Sequence, residues 1–447
     1  MPDDKRGLRD RIRPALPFGG QQTHHVTTSR QTEPYGDQTM TSEDNRPPGL
    51  GPGRARQSAI YRAGARGQAP SVPTDAYGLE RRAKKIMSAT AWAYVAGGAG
   101  EGRTMRHNRE AFERWRIVPR MLHGVTQRDL TTSVVGTRLS SPLLLAPIGA
   151  ASLVAANSDV IIARGAGSAG TPYVISSQGC NPMEDTAAAM GSTPFWYQLY
   201  WSTDEGLVDS MIGRAESCGA RALVVTLDTT ILGWRPRDLN LGSLPFARGQ
   251  GIAQYTSDPR FTEIVRQRIA AGIDRAKTRA SFGAVRTLVT MSREHPGAVR
   301  KNLQSPEPRA AVETFLDIYS NPGLSWNHIA TLRDRTSLPV VLKGILHPDD
   351  ARRAVDLGVD GIIVSNHGGR QIDNAVASLD ALRRHPGCRG TATDDLAGQW
   401  HPIRHRCDHR AGARRKRLPA RPAIHLRIGD RRRRWRPPGH RERRCRA

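Results

Sequence analysis

Six short apolar runs punctuate the middle of the chain, and segments of helical character separate most of them. They read LLLAP (143–147), YVISS (173–177), FWYQLY (195–200), ALVVTLD (222–228), LPVVLKG (338–344) and GIIVSNHGG (361–369). Runs of Val, Ile and Leu without polar alternation describe strands covered on both faces. That means a parallel sheet with helices packed against it. The clearest intervening helices fall at 159–169, 204–217 and 349–357, the last with Pro348 before it and Gly358 after it. Six such units fit an α/β (β/α)8 barrel, whose chemistry gathers at the carboxyl ends of the strands. A doubly wound sheet is the structural rival, but no G-x-G-x-x-G follows the first strand.

The flanks have a different texture. Residues 1–74 are rich in Gly, Pro, Gln, Arg, Ser and Thr with almost no apolar periodicity, and they read as a disordered extension. From Leu79 to Ala96 the apolar spacing is helical and ends at Gly97-Gly98. The barrel occupies 75–386, with a long, mostly polar insertion at 240–327 after the fourth strand. Insertions of that size form lids or oligomer contacts. From 387 to 447 the strand–helix rhythm stops.

The formal charge is +26, and the 60 residues from Cys388 to Ala447 carry +14 of it, with 18 Arg and one Lys against five acidic residues. An evolved nucleic-acid arm mixes Lys with Arg and interleaves aromatic residues for stacking. Here Trp400 and Trp435 are the only aromatic residues besides His, so no specific nucleic-acid partner is expected. The five Cys form no C-x-x-C pair and no metal-ligand spacing, which suggests free thiols in a reducing compartment and no metal site. No run approaches the roughly 18 apolar residues of a membrane span, and the first 30 residues lack the apolar core of a signal peptide. A cytoplasmic location is expected.

If the runs are barrel strands, their last residues converge on one mouth. These are Pro147, Ile148 and Gly149, Ser176, Gln198 and Tyr200, Thr226 and Asp228, Lys343, and Ser365, His367 and Arg370. The set contains an imidazole that takes a proton near neutral pH and a carboxylate able to orient it. It also holds a guanidinium able to grip a carboxylate with two hydrogen bonds. Each residue has a plainer explanation taken singly. Asp228 could cap the following helix, Lys343 could be a surface ammonium, and Gln198 and Tyr200 could be satisfied polar groups inside the barrel.

The segments YVAGGAGEG, LAPIG, FWYQLY, VVTLDTTILGWRPRDL and LPVVLKGILHPDDARRAVDLGVDGIIVSNHGGRQ resemble the FMN-dependent α-hydroxy acid oxidases and dehydrogenases. The resemblance runs from about Tyr77 to Arg384, and LPFARGQGIAQY with the long insert is similar to the lactate 2-monooxygenase branch. It implies a (β/α)8 barrel that binds FMN and oxidises an L-2-hydroxy acid, most simply L-lactate. It also implies that His367 is the base, that Asp228 holds the resulting imidazolium, and that Arg370 and Tyr94 bind the substrate carboxylate. Tyr200 and Arg235 are then expected near the reacting hydroxyl and the flavin, with Lys343 beside flavin N1. Ser176, Gln198, Thr226 and the backbone of Pro147, Ile148 and Gly149 would line the isoalloxazine, with Ser365 on the ribityl chain. Gln178 belongs to the pocket that selects the substrate side chain. Members of this family commonly form homo-oligomers, which is the expectation for a complete barrel.

The resemblance stops after SLDALRRHPG. The family's seventh strand carries an Asp-Gly-Gly-like turn and an Arg, and its eighth ends in Gly-Arg, where the FMN phosphate binds. Neither motif follows here, so the barrel reads as truncated after the sixth strand. A shifted reading frame accounts for this. RPAIHLRIGD (421–430) has synonymous codons that, read one base later, spell Gly-Arg-Pro-Tyr-Ile-Tyr-Gly-Leu-Ala.

Overall fold

The computed structural model describes residues 51–124, 128–272, 281–384 and 400–402. Two units are distinguished, Met1–Leu79 and Glu80–Ala447. In the first, Pro52–Gly64 is a helix with none of its residues buried. This corrects the expectation of an unstructured extension through residue 74. Pro52 sits in the first turn, where a missing N–H costs nothing, and Ala, Arg and Gln behind it are good helix formers. Residues 1–50 lie outside the described residues.

The second unit is built on a parallel sheet. A hairpin comes first, β1 (Thr132–Val134) paired antiparallel with β2 (Thr137–Leu139). Its two-residue turn, Val135-Gly136, has positive φ at both positions, as the twist of such hairpins requires. Then β3 (Tyr173–Ile175), β4 (Phe195–Leu199), β5 (Leu223–Thr226), β6 (Val340–Lys343) and β7 (Gly361–Ile363) pair in chain order, all parallel. β8 (Trp400–Pro402) adds to β7 in the antiparallel sense.

Strand side chains alternate between two packings. Val174, Trp196, Ala222, Val224 and Val341 form an inner cluster against Val134 and Val135 of the hairpin. The Trp196 indole N–H donates to Thr137 Oγ1 at 3.1 Å, so the hairpin plugs this end of the sheet. Tyr173, Ile175, Tyr197, Leu199, Leu223, Val225, Leu342 and Ile362 face the helices. Both faces are buried, which is why these strands are apolar throughout.

Four expectations need correction. LLLAP is not a strand: only Leu145 bridges Tyr173, and Leu143 and Ile148 are 59% and 51% exposed. Among the described residues no strand pairs with its far edge. The helix expected from Leu79 to Ala96 is two helices, Ala76–Ile86 and Ala89–Ala96, because the Ser88 hydroxyl accepts the Ala91 N–H at 3.2 Å and starts a new turn. The insertion at 240–327 is largely helical, with Pro259–Ala270, Phe282–Glu294 and Glu307–Ile318 among its helices. Tyr255, Phe261, Phe315 and Tyr319 pack into one aromatic cluster there. Within the tail expected to be without pattern, Trp400–Pro402 is a strand, and the rest of 387–447 lies outside the described residues.

The insertion is tied to the barrel by charge. Arg214, on the helix Glu205–Ser217, pairs with Glu184 at 2.9 Å and with Asp258 at 3.0 Å. It also donates to the Gln254 carbonyl at 2.7 Å. Asp258 in turn caps the helix Pro259–Ala270.

Candidate active site

The carboxyl ends of β3–β7 open into one cavity of about 700 Å³. Pro147, Ile148, Gly149, Ser176, Gln178, Gln198 and Tyr200 line it from the early strands, and Lys343, Ser365, His367 and Arg370 from the later ones. Tyr94 and Arg235 complete the wall, so the residues singled out from the sequence meet in one place. Two of them stand behind it. Thr226 is buried and accepts the Gln198 amide at 2.8 Å, while Ser176 donates to the other end of that amide at 3.0 Å. Three adjacent strand ends thus hold Gln198 in one orientation. Asp228 lies behind His367.

His367 Nδ1 is 2.7 Å from Asp228 Oδ1, and Lys343 Nζ lies 3.5 Å from Asp228 Oδ2. Asp228 therefore caps no helix, and Lys343 is a buried ammonium rather than a surface one. Burial alone would raise the Asp228 carboxyl, but the Lys343 charge and the His367 hydrogen bond hold it below its ordinary range. His367 is pushed below its ordinary value by burial first and then by Lys343, against the pull of Asp228. In the tautomer that donates Nδ1–H to the carboxylate, Nε2 keeps its lone pair, and among the described residues nothing hydrogen-bonds it.

The backbone enforces this placement. His367 has φ +56°, followed by Gly368 and Gly369 at +65° and +75°. At Gly369 a Cβ would stand 2.8 Å from the Met105 nitrogen, so the helix Arg103–Glu113 approaches too closely for any side chain. Behind the pair, Gly344 (φ +112°) lets β6 pass Asp228, where a Cβ would meet the Asp228 Cβ at 2.9 Å.

A cationic wall faces the imidazole. Arg370 donates from one terminal nitrogen to the carbonyls of Tyr94 (2.6 Å) and Gly97 (2.7 Å), leaving its other N–H groups for a ligand. Arg235 donates to the Arg370 carbonyl at 3.1 Å and to Gln371 Oε1 at 3.0 Å. Both guanidinium groups approach the Tyr94 ring, Arg370 at 4.9 Å and Arg235 at 5.8 Å. Burial, then Arg235, lowers Arg370 from its ordinary value, which marks a site short of negative charge. Burial pushes the Tyr200 phenol well above its usual range, so it is a neutral hydrogen-bond donor.

Some contributors were not singled out from the sequence. Thr229 sits 3.2 Å from both His367 Nδ1 and Asp228 Oδ1, and its only sequence signal is its place next to Asp228. Asp373 accepts the N–H groups of Glu101 (2.8 Å) and Arg103 (2.6 Å), and Asn108 and Asn366 exchange amide hydrogen bonds. These join the segment carrying Tyr94 to the loop carrying His367, across some 270 residues that no local pattern could bridge.

Residues 83–392 match the FMN-dependent dehydrogenase family. The chain belongs to that family. It is 35% identical over 327 residues to the FMN-dependent alpha-hydroxy acid dehydrogenase qulF of Penicillium citrinum, covering 73% of each chain. It is 36% identical over 304 residues to an L-lactate oxidase of Lysinibacillus sphaericus, covering 68% of this chain and 69% of that one. Among solved structures, mandelate oxidase with (S)-4-hydroxymandelic acid matches with a TM-score of 0.53 and 31% identity, over 68% of this chain and 73% of that one.

The family places the chain among FMN-dependent α-hydroxy acid oxidoreductases with a TIM-barrel fold. The cavity suits the ring of that cofactor. An ammonium (Lys343), a fixed amide (Gln198) and a hydroxyl (Ser176) stand where a flat polar heterocycle would need charge and hydrogen bonds. Among the described residues no helix is long and apolar enough to cross a membrane, and no cluster of His, Cys, Asp and Glu could hold a metal.

Proposed function

We propose that the site oxidises a small L-2-hydroxy acid, with L-lactate as the substrate, to the 2-oxo acid. The observation that carries this reading is His367, backed by Asp228 at 2.7 Å and set in one cavity with Arg235 and Arg370. Arg370 and Tyr94 hold the substrate carboxylate, and Tyr200 and Arg235 contact the hydroxyl side. His367 removes a proton at Nε2, and Asp228 stabilises the imidazolium that forms. Pro147, Ile148, Gly149, Ser176, Gln198 and Lys343 hold the FMN ring, with Thr226 fixing Gln198 and Ser365 on the ribityl side. FMN, when bound, supplies the acceptor for the two electrons that leave the substrate. The free thiols of Cys180 and Cys218 agree with a reducing, cytoplasmic setting, and a complete barrel is expected to form a homo-oligomer.

A second reading is that this chain is a truncated member of the family with little or no turnover. The exposed edge at Leu143 and Ile148 favours it. A barrel of eight strands has no edges, and the motifs for the FMN phosphate are missing from the sequence. We attribute that loss to a frame shift near residue 386. Phosphate contacts of about 1.5–3 kcal/mol each are then missing, which weakens FMN binding by orders of magnitude.

A visible absorption spectrum and lactate turnover, for this chain and for a frame-restored version, test both readings. A yellow, lactate-oxidising restored chain beside a colourless, inactive one supports truncation. Turnover by the 447-residue chain removes the second reading. A restored chain that holds FMN but ignores lactate removes the first.

A further inference from the structure

The Nδ1 atom of His367 faces three groups that make opposing demands on it. Asp228 Oδ1, at 2.7 Å, accepts a hydrogen and so favours the tautomer protonated at Nδ1. Lys343 Nζ, at 3.3 Å, can only donate, and so favours the tautomer with a lone pair at Nδ1. That second tautomer would place the hydrogen on Nε2 and leave the cavity without a base. Lys343 also forms an ion pair with Asp228, its Nζ 3.5 Å from Oδ2, but Oδ2 has no hydrogen-bond partner.

The remaining neighbour is Thr229, whose Oγ1 lies 3.2 Å from Nδ1 and 3.2 Å from Asp228 Oδ1. It is largely buried and lines the cavity wall beside His367. The hydroxyl has one hydrogen and two lone pairs. Donating that hydrogen to Asp228 Oδ1 pins the carboxylate oxygen beside the imidazole and leaves lone-pair density turned to Nδ1. Both effects act in the same sense, toward a hydrogen on Nδ1. Tyr200 faces the same hydroxyl from the cavity side, which links the phenol at the wall to the buried pair.

We propose that Thr229 is a positioning residue that decides which ring nitrogen of His367 carries the hydrogen, holding Nε2 bare toward the cavity. This rests on the function proposed above only for its kinetic consequence, since the tautomer is a property of the protein itself. Two variants separate the hydroxyl from the methyl group. Thr229→Val keeps the shape and removes the hydroxyl, whereas Thr229→Ser keeps the hydroxyl and removes the methyl.

The test is ¹⁵N spectroscopy of the purified full chain labelled at histidine, with His367 identified by the resonances lost in His367→Gln. The wild-type chain is expected to show Nδ1 protonated and Nε2 bare. Thr229→Val should move a substantial fraction to the opposite tautomer, and Thr229→Ser should retain the wild-type pattern. A Thr229→Val spectrum identical to wild type, or a Thr229→Ser spectrum that follows valine, would overturn the proposal. In the kinetic arm, run in the frame-restored enzyme, Thr229→Val lowers kcat for lactate about tenfold with KM within twofold, and Thr229→Ser restores it. If the restored chain holds FMN but does not turn over lactate while the tautomer shifts as described, the functional reading fails and this one stands. If turnover is present and the tautomer does not move, the reverse holds.

Discussion

Replacing Asp228 by Asn removes one charge from the buried pair while keeping an oxygen that can still accept from His367 Nδ1. The consequence can be worked from the geometry. The carboxylate oxygen is 2.7 Å from Nδ1, which places the two charge centres of the ionised pair about 4 Å apart. At an effective dielectric of about 20, two unit charges at that separation attract by about 4 kcal/mol, equal to about three pKa units. Burial, Lys343 and Arg235 already lower the imidazole, and Asp228 is what opposes them. Without its charge, the His367 imidazole is pushed further below its ordinary value. The ring stays neutral at pH 7, so the base is still present. What is lost is the stabilisation of the imidazolium formed as the proton transfers, and kcat drops roughly 10²–10³-fold.

Two assays check this. Histidine NMR titration of the wild-type and Asp228→Asn chains reads the shift directly, and lactate turnover by the frame-restored enzyme reads its consequence. A His367 titration that moves by less than about half a unit would refute the electrostatic argument, whatever the rate does. A full shift with less than a tenfold loss of kcat would show instead that imidazolium formation is not part of the rate-limiting barrier.

Three further outcomes follow from the same structure. Arg370→Lys keeps the charge but loses the planar fork, so KM for lactate should rise at least tenfold in the frame-restored enzyme; an unchanged KM removes Arg370 from the carboxylate role. Arg214→Met leaves the buried Asp258 carboxylate without its guanidinium partner and should cost about 3 kcal/mol in urea unfolding, with a loss below about 1 kcal/mol counting against the latch. Stability should fall with acid in two stages. His367, held below its ordinary 6.5, contributes fully above that value and progressively less below it. Asp228, held below 3.8, contributes above 3.8 until the pH falls through its lower folded value. In His367→Gln the first stage should be reduced, as unfolding curves at pH 5 and 8 would show.

Much of the scaffold was legible because burial on two faces leaves a plain record. β3 to β7 are unbroken apolar runs, and Gln198, Asp228, Lys343 and His367 end or closely follow them, so placing the strands also placed the cavity. What escaped was decided through space. Thr229 looks like any threonine after an aspartate until His367 is brought to 3.2 Å from its hydroxyl. Asp373 looks like a loop carboxylate until it receives the N–H groups of Glu101 and Arg103. The polar texture of 240–327 concealed helices from which Tyr255, Phe261, Phe315 and Tyr319 pack on one another.

LLLAP shows the limit of the rule that located the other strands. Its composition matches theirs, yet Leu143 is more than half exposed while Leu223 and Leu342 are wholly buried. An apolar run states that a segment gains by being covered, roughly 25 cal/mol for each Å² removed from water. It does not state what covers it. For β3 to β7 the covering elements are neighbouring strands and helices among the described residues. For 143–147 the strand neighbour among the described residues is β3, met only by the bridge from Leu145 to Tyr173, and Leu143 and Ile148 stay more than half exposed.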